Sequence, residues 1–258
     1  DHLIEGVHEN PDSLDGGELD SIISSNNIPC PNCDDPEWAE ARPMNLMFPT
    51  TIGAMGGGRE AYMRPETAQG MFMLYPSLYR HFNQQLPCVA VQTGRGYRNE
   101  ISPRQGMIRL REFNMAELEY FIDPENPPGK SGLDQTHGEI VEMISDPEGE
   151  SPGNHRISIQ SALNDGIVKH PTVASFLART YEFLVKIGID GERIRFRQHA
   201  GSEMAHYASD CWDCEIHGEY GWIASVGIAN RTCHELESHE AYSGTNLLRA
   251  WRQFGSPR

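Results

Sequence analysis

Lysine is almost missing from this chain of 258 residues. Only Lys130, Lys169 and Lys186 accompany 18 arginines among the 21 basic residues, against 37 acidic ones. The formal charge of −16 at pH 7 repels a polyanion at long range, which excludes a protein that coats nucleic acid without selectivity. Arginine in place of lysine suits two-pronged recognition of phosphate or carboxylate. A GC-rich genome or adaptation to salt gives the same bias, and composition does not separate the three.

Long apolar runs are missing too. The longest, Ser175 to Ile189, is interrupted by Arg179, Glu182 and Lys186, short of the ~18 apolar residues of a membrane span. The first residues lack the basic-then-apolar pattern of a secretory leader, so a cytoplasmic location is expected. A first residue of Asp1 puts the expected start of the protein upstream. With 38% hydrophobic and 22% charged residues, collagen, coiled coil and wholesale disorder are excluded, and the length allows one large domain or two small ones.

Cysteine is sparse: Cys30, Cys33, Cys88, Cys211, Cys214 and Cys233 do not make the dense framework of a small secreted protein. Cys30-Pro-Asn-Cys33 has the spacing of half a zinc knuckle in a loop rich in Pro, Asn and Asp. A tetrahedral site needs two more ligands, and an unmetallated pair is the alternative. Cys211-x-x-Cys214 is the other pair at that spacing, but a separation of three puts its thiols on opposite faces of an extended strand unless the strand bulges.

Residues 1–43 read as a polar surface segment with one short helix near Leu19 to Ser24. Residues 44–122 read as an ordered core. Within it lie a strand over Met44 to Phe48, a glycine-rich loop over Gly53 to Gly58 and a short strand over Ala61 to Met63. A helix from Thr67 follows, with Met71, Leu74, Leu78 and Phe82 at helical spacing; Met71, Met73 and Leu74 are read as helix packing. Cys88 to Arg98 and Met107 to Asp123 make a large antiparallel hairpin around Ser-Pro-Arg-Gln-Gly. Residues 123–158, rich in Pro, Gly, Asp and Glu, read as an insertion or linker with a helical candidate over Asp134 to Ile144. Residues 159–258 return to the core, with a helix over Val173 to Ile187 and strands over Arg193 to His199, Glu203 to Ile216 and Tyr220 to Ala229. The expected class is α+β, an antiparallel sheet flanked by helices.

Alternation sorts the second hairpin strand into two faces. Arg109, Arg111, Phe113, Met115, Glu117, Glu119 and Phe121 share one; Ile108, Leu110, Glu112, Asn114, Ala116, Leu118 and Tyr120 share the other, which reads as core. The first face combines cations, an aromatic plane and carboxylates, and suits a ligand with anionic, planar and cationic parts. Arg98 and Glu100 share a face with Gln92, while Gly94 and Gly96 leave room for close approach. The bland alternative is a solvated face of salt-bridged charges.

Tyr97-Arg98-Asn99-Glu100 and Arg109-Leu110-Arg111-Glu112-Phe113 resemble motif 2 of class II aminoacyl-tRNA synthetases. Together with Arg64-Pro-Glu-Thr-Ala-Gln-Gly70, Arg111-Glu-Phe-Asn-Met-Ala-Glu-Leu-Glu-Tyr-Phe121, Arg195-Phe-Arg-Gln-His199 and Glu203 to Asp213, they resemble the dimeric, archaeal and eukaryotic-type glycyl-tRNA synthetases from Asp1 to about Leu248. The resemblance implies a class II catalytic core, ATP and Mg²⁺, glycine and tRNA(Gly) as substrates, and a homodimer. It implies that Arg98 holds the α-phosphate and the amino-acid carboxylate, Glu100 reads the adenine amine, Phe113 stacks under the base and Arg109 reaches the β/γ-phosphates. Glu66 and Glu117 would grip the glycine ammonium, and Arg231 stands where the family has an active-site arginine. Glu203 suits a structural pairing as well as a functional one. His199, His206, Cys211 and Trp212 read as core residues.

Motif 1, motif 3 and the anticodon-binding domain of that family are not found in these residues, and Asn230 stands where the family usually has Asp. Two expectations follow. The chain is the central catalytic segment of a longer glycyl-tRNA synthetase, or it is a non-catalytic relative that binds nucleotide, glycine or tRNA as an accessory. The five retained residues Glu66, Arg98, Glu100, Phe113 and Glu117 favour the first.

Overall fold

A computed structural model describes residues 14–30, 33–42, 44–54, 56–100, 108–124, 140–145, 153–201, 204 and 207–244. The chain divides into two units, Asp1–Leu46 and Met47–Arg258. In the first, helix α1 (Gly16–Ser25) opens on a capping box in which Asp15 accepts from the Glu18 amide and Glu18 accepts from the Asp15 amide, both at 2.9 Å. Both exchanged bonds satisfy amides that the first helical turn leaves without partners. The short predicted helix therefore starts a few residues early. Asp34 donates to the Cys30 carbonyl (2.8 Å) and Cys30 to the Asp35 carbonyl (2.9 Å), closing the turn that carries an exposed Cys33.

The second unit begins with a small hairpin, β1 (Pro49–Ile52) and β2 (Arg59–Tyr62). The strand expected over Met44 to Phe48 is not formed: pairing starts at Pro49, where β2 supplies a partner. The helix expected from Thr67 divides at Leu74 into α2 (Ala68–Met73) and α3 (Tyr75–His81). Pro76 lies in the first two positions of α3, where its missing N–H costs nothing, but the same lack prevents one continuous helix. The break re-aims the turn, so Met71 is buried while Met73 and Leu74 are 69% and 60% exposed. The packing role expected of all three belongs to Met71 and Phe72.

Strands β3 (Cys88–Tyr97) and β4 (Glu112–Phe121) pair antiparallel without interruption, from Cys88 opposite Phe121 to Tyr97 opposite Glu112. The predicted hairpin is thus present; its Ser-Pro-Arg-Gln-Gly turn lies outside the described residues. The expected core face is inverted. Glu112, Asn114, Ala116 and Leu118 are exposed, Leu118 by 47% opposite a 62% exposed Val91. The face bearing Phe113, Glu117 and Phe121 is half-buried, because α2 and α3 cover its far end through Phe72 and Tyr75 against Phe121. Hydropathy alternation marks two faces without saying which one a helix covers.

The remaining strands form a five-stranded sheet in the order β6 (Gly153–Ser158), β5 (Ile140–Ser145), β7 (Ile194–Gln198), β8 (Asp210–Gly218), β9 (Gly221–Asn230), antiparallel except for β5 with β7. Strand β5 replaces the end of the predicted helix over Asp134 to Ile144; residues 134–139 lie outside the described part. Buried Val141 and Met143 alternate with half-buried Glu142 and Ile144, a period of two that a strand satisfies. The stretch read as linker therefore supplies two sheet strands. Helices α4 (Ile159–Asn164) and α5 (Pro171–Lys186) pack one sheet face through Ile159, Leu177, Phe196 and Trp212, each burial contributing roughly 1.5–3 kcal/mol. Buried Asp210 accepts from Gln198 Nε2 and Trp212 Nε1 and from the Lys169 amide, so the polar atoms under the core are joined through one carboxylate.

The opposite sheet face carries a charge ladder. Arg195 pairs with Glu215 (2.6 Å), Arg197 with both Glu215 and Asp213 (3.2 Å each), and His199 Nε2 with Asp213 (2.9 Å). Hydrogen bonding to Asp213 lifts the His199 imidazole to about 10. Trp212 is fully buried in the core, as expected; His199 is hydrogen-bonded but half-buried on the face away from that core, and His206 and Glu203 lie outside the described residues. Cys211 and Cys214 face opposite ways, since the only register shift of β8 comes after Cys214. Helix α6 (His234–Ser243), not anticipated from sequence, follows β9. No helix among the described residues is long and apolar enough to cross a membrane. The class is the expected α+β, with an antiparallel-rich sheet flanked by helices.

Candidate active site

The segment Arg64 to Thr67 is tied alongside the hairpin. Tyr97 donates to the Arg64 carbonyl, and Arg64 Nε to the Arg95 carbonyl, both at 2.9 Å. Thr67 gives its amide (2.5 Å) and its hydroxyl to Glu117 Oε2. That hydroxyl is therefore not spent on capping α2. These bonds bring Glu66, remote in sequence, beside β4.

Cross-strand partners share a face, so Gly96 lies over Phe113, Gly94 over Met115, Gln92 over Glu117 and Ala90 over Glu119. A β-carbon at Gly96 would meet the Phe113 ring at 3.0 Å and Met115 Sδ at 2.8 Å; one at Gly94 would meet Arg64 Nη2 at 2.5 Å. The room expected above these glycines is taken by the protein's own side chains, which the glycines allow to lie flat. At the turn end of the hairpin the exposed Arg98 guanidinium stands 5.3 Å from the Phe113 ring centre, and its Nε donates to the Pro65 carbonyl (3.4 Å). Glu100 is half-buried there, its carbonyl accepting from Arg111 Nε at 3.2 Å, and Arg109 is exposed.

At the other end a pocket of about 240 Å³ is lined by Glu66, Gln69, Tyr207, Arg231, His234 and Glu235, among others. Arg231 donates through Nε (2.7 Å) and Nη2 to Glu235 Oε1, and its guanidinium carbon lies 4.3 Å from the Tyr207 ring centre and 5.2 Å from that of Phe72. Burial opposes the charge of Arg231, but the bond to Glu235 and the nearby Glu119 carboxylate hold its pKa above the ordinary value. Glu119 is pushed up to about 7, first by burial, then by Glu117, Glu235 and Glu66 against the opposing pull of Arg231.

Among the residues picked from sequence, Arg98, Phe113 and Glu117 thus lie on one face of the hairpin, with Glu66 tied alongside it, while Glu66 and Arg231 line one pocket. From Phe113 to Glu117 is about 13 Å at ~3.3 Å per residue. Cys30 and Cys33 belong to the first unit, and among the described residues no group of three His, Cys, Asp or Glu could hold a metal ion. Sequence reasoning missed Glu235, Tyr207 and Thr67. It placed Glu119 on the right face but gave it no role, although its position two residues beyond Glu117 was signal enough.

Residues 54–136 match the model of the tRNA synthetase class II core domain (G, H, P, S and T). The chain is 48% identical over 250 residues to the glycine--tRNA ligase of Methanothrix thermoacetophila and 49% identical over 259 residues to that of Methanocaldococcus jannaschii, 96% of this chain in each case. A third, from Archaeoglobus fulgidus, is 48% identical over 212 residues, 81% of this chain and 36% of that protein. The chain spans 42% and 44% of the length of the first two relatives. It therefore belongs to the class II tRNA synthetases, and the members it matches are archaeal glycine--tRNA ligases.

Proposed function

We propose that the chain is the adenylate-forming part of a glycine--tRNA ligase. The observation that carries this reading is the single hairpin face that offers an arginine and an aromatic ring at one end and carboxylates beside Arg231 about 13 Å further on. ATP lies along that face, with its adenine on Phe113, its exocyclic amine toward Glu100, its α-phosphate at Arg98 and its outer phosphates toward Arg109. The glycine ammonium donates to Glu66 and Glu117, and Arg231 meets the anionic side of the substrate. A pocket that surrounds the ammonium and fills the side-chain space rejects larger amino acids by clash, so editing is not required.

A glycine carboxylate oxygen attacks the α-phosphorus. The bond from that phosphorus to its bridging oxygen breaks, pyrophosphate leaves, and glycyl-adenylate forms. Arg98 offsets the charge that builds on the phosphoryl oxygens, and the rest is positioning. The terminal ribose hydroxyl of tRNA(Gly) then attacks the glycyl carbonyl carbon, loses its proton, and AMP leaves. Mg²⁺, where bound, would sit on the polyphosphate through phosphate oxygens and water and would neutralise its charge. Zinc needs four ligands, and Cys30 with Cys33 gives two, so no step uses it. A homodimer and a cytoplasmic location belong to the same proposal.

Glycine-dependent exchange of pyrophosphate into ATP tests the reading, measured on the full-length protein and on these 258 residues. Exchange is expected from the first, with little or none from the second, and Arg98→Ala should abolish it. Full-length protein that binds ATP and glycine without exchange is an accessory factor.

A further inference from the structure

Arg231 poses a problem of self-occlusion. It is a cation among carboxylates: Glu119 feels Arg231, Glu117, Glu235 and Glu66 together. Under the reading above, Glu66 and the second oxygen of Glu117, whose Oε2 is already held by Thr67, must stay open to receive an ammonium. A free guanidinium in the same pocket would bind them itself, since charge-assisted pairing between arginine and carboxylate is strong and two-pronged. What keeps it away is Glu235. The Nε edge of Arg231 is spent there, with Nε and Nη2 both donating to Oε1. The Glu235 side chain is only 8% exposed, so water competes weakly for it. The rings of Tyr207 and Phe72 limit where the guanidinium can swing, while Nη1 stays on the edge away from Glu235.

We infer that Glu235 is a positioning residue, which anchors Arg231 so that the cation faces the carboxylate of the amino acid and leaves Glu66 and Glu117 to its ammonium. This rests on the reading of the pocket as the glycine site. The spacing explains why these two residues serve: Arg231 directly follows the last residue of β9, and Glu235 lies four residues on in the first turn of α6, so one tight connection sets both.

The test uses the full-length enzyme in pyrophosphate exchange, comparing Arg231→Gln, Glu235→Gln, Glu235→Asp and the double variant Arg231→Gln/Glu235→Gln. Glu235→Gln is expected to raise the glycine KM on the order of tenfold with the ATP KM within about twofold, and Glu235→Asp, which keeps the charge, to recover part of the loss. The double variant should match Arg231→Gln alone, because Glu235 has nothing left to position. It leaves no lone buried charge, so it carries the test even where Glu235→Gln fails to fold. A Glu235→Gln enzyme with an unchanged glycine KM and melting temperature overturns the inference, as does a double variant whose glycine KM exceeds that of Arg231→Gln severalfold. If Arg231→Gln itself leaves the glycine KM unchanged, the glycine-site reading fails instead.

Discussion

Glu119 shows how one residue can record the electrostatics of the whole pocket. Its carboxyl is held up to about 7 by burial and by Glu117, Glu235 and Glu66, against an ordinary value near ~4.3. Between those two values the folded protein keeps a proton that the unfolded chain has released, so this residue's contribution to stability falls as pH rises from about 4 to 7 and stays lost above that. Replacing it by Gln removes the penalty. Glu119→Gln is expected to gain stability relative to the parent between pH 5 and pH 8, by at most about 3 kcal/mol, in thermal melts at both values; an equal difference at the two pH values would refute the assignment. The acid-rich composition acquires a local meaning here. With 37 acidic residues, crowding several around one arginine is a choice of placement, and the arginine survives among them because one carboxylate is dedicated to it.

At the scale of elements, the hairpin of β3 and β4 holds most of what was legible in advance. Its strands, its pairing and the common face of Phe113 and Glu117 follow from alternation alone, since a strand's period is fixed by backbone geometry. What alternation could not say was which face is covered, and the exposed Leu118 and Val91 overturned that expectation. Strand β5 is hidden from a sequence reading because its partners in β6 and β7 lie 12 and 53 residues away in register, Met143 pairing with His155 and Phe196; a lone six-residue run does not announce such partners. Glu235 escaped notice for a similar reason, as nothing in sequence links it to Glu66. The glycines were legible as sites of close approach but not as to what approaches. Since Phe113 lies on Gly96, Gly96→Ala should push the ring out of place and weaken ATP binding about tenfold or more, by equilibrium titration. Gly94→Ala clashes with the end of the flexible Arg64 side chain and meets Thr67 Cγ2 at 3.4 Å, an ordinary contact, and should cost less.

Across the whole molecule, the two ends of the candidate site are assembled over different stretches of chain. Arg98 and Phe113 stand 15 residues apart on one hairpin, whereas Glu66 and Arg231 meet in one pocket after the chain has travelled through the five-stranded sheet. Closing the larger loop costs more entropy, and every strand between must be in place before Arg231 arrives. Mild denaturant should therefore raise the glycine KM before it weakens ATP binding, measured on the same enzyme across a urea series; simultaneous loss of both would mean that the unit opens only as a whole. Should that order of loss be found, the proposed glycine pocket after β9 would act as a folding sensor as well: nucleotide could be held while the unit is still partly open, and the amino acid recognised only once the chain has closed on itself.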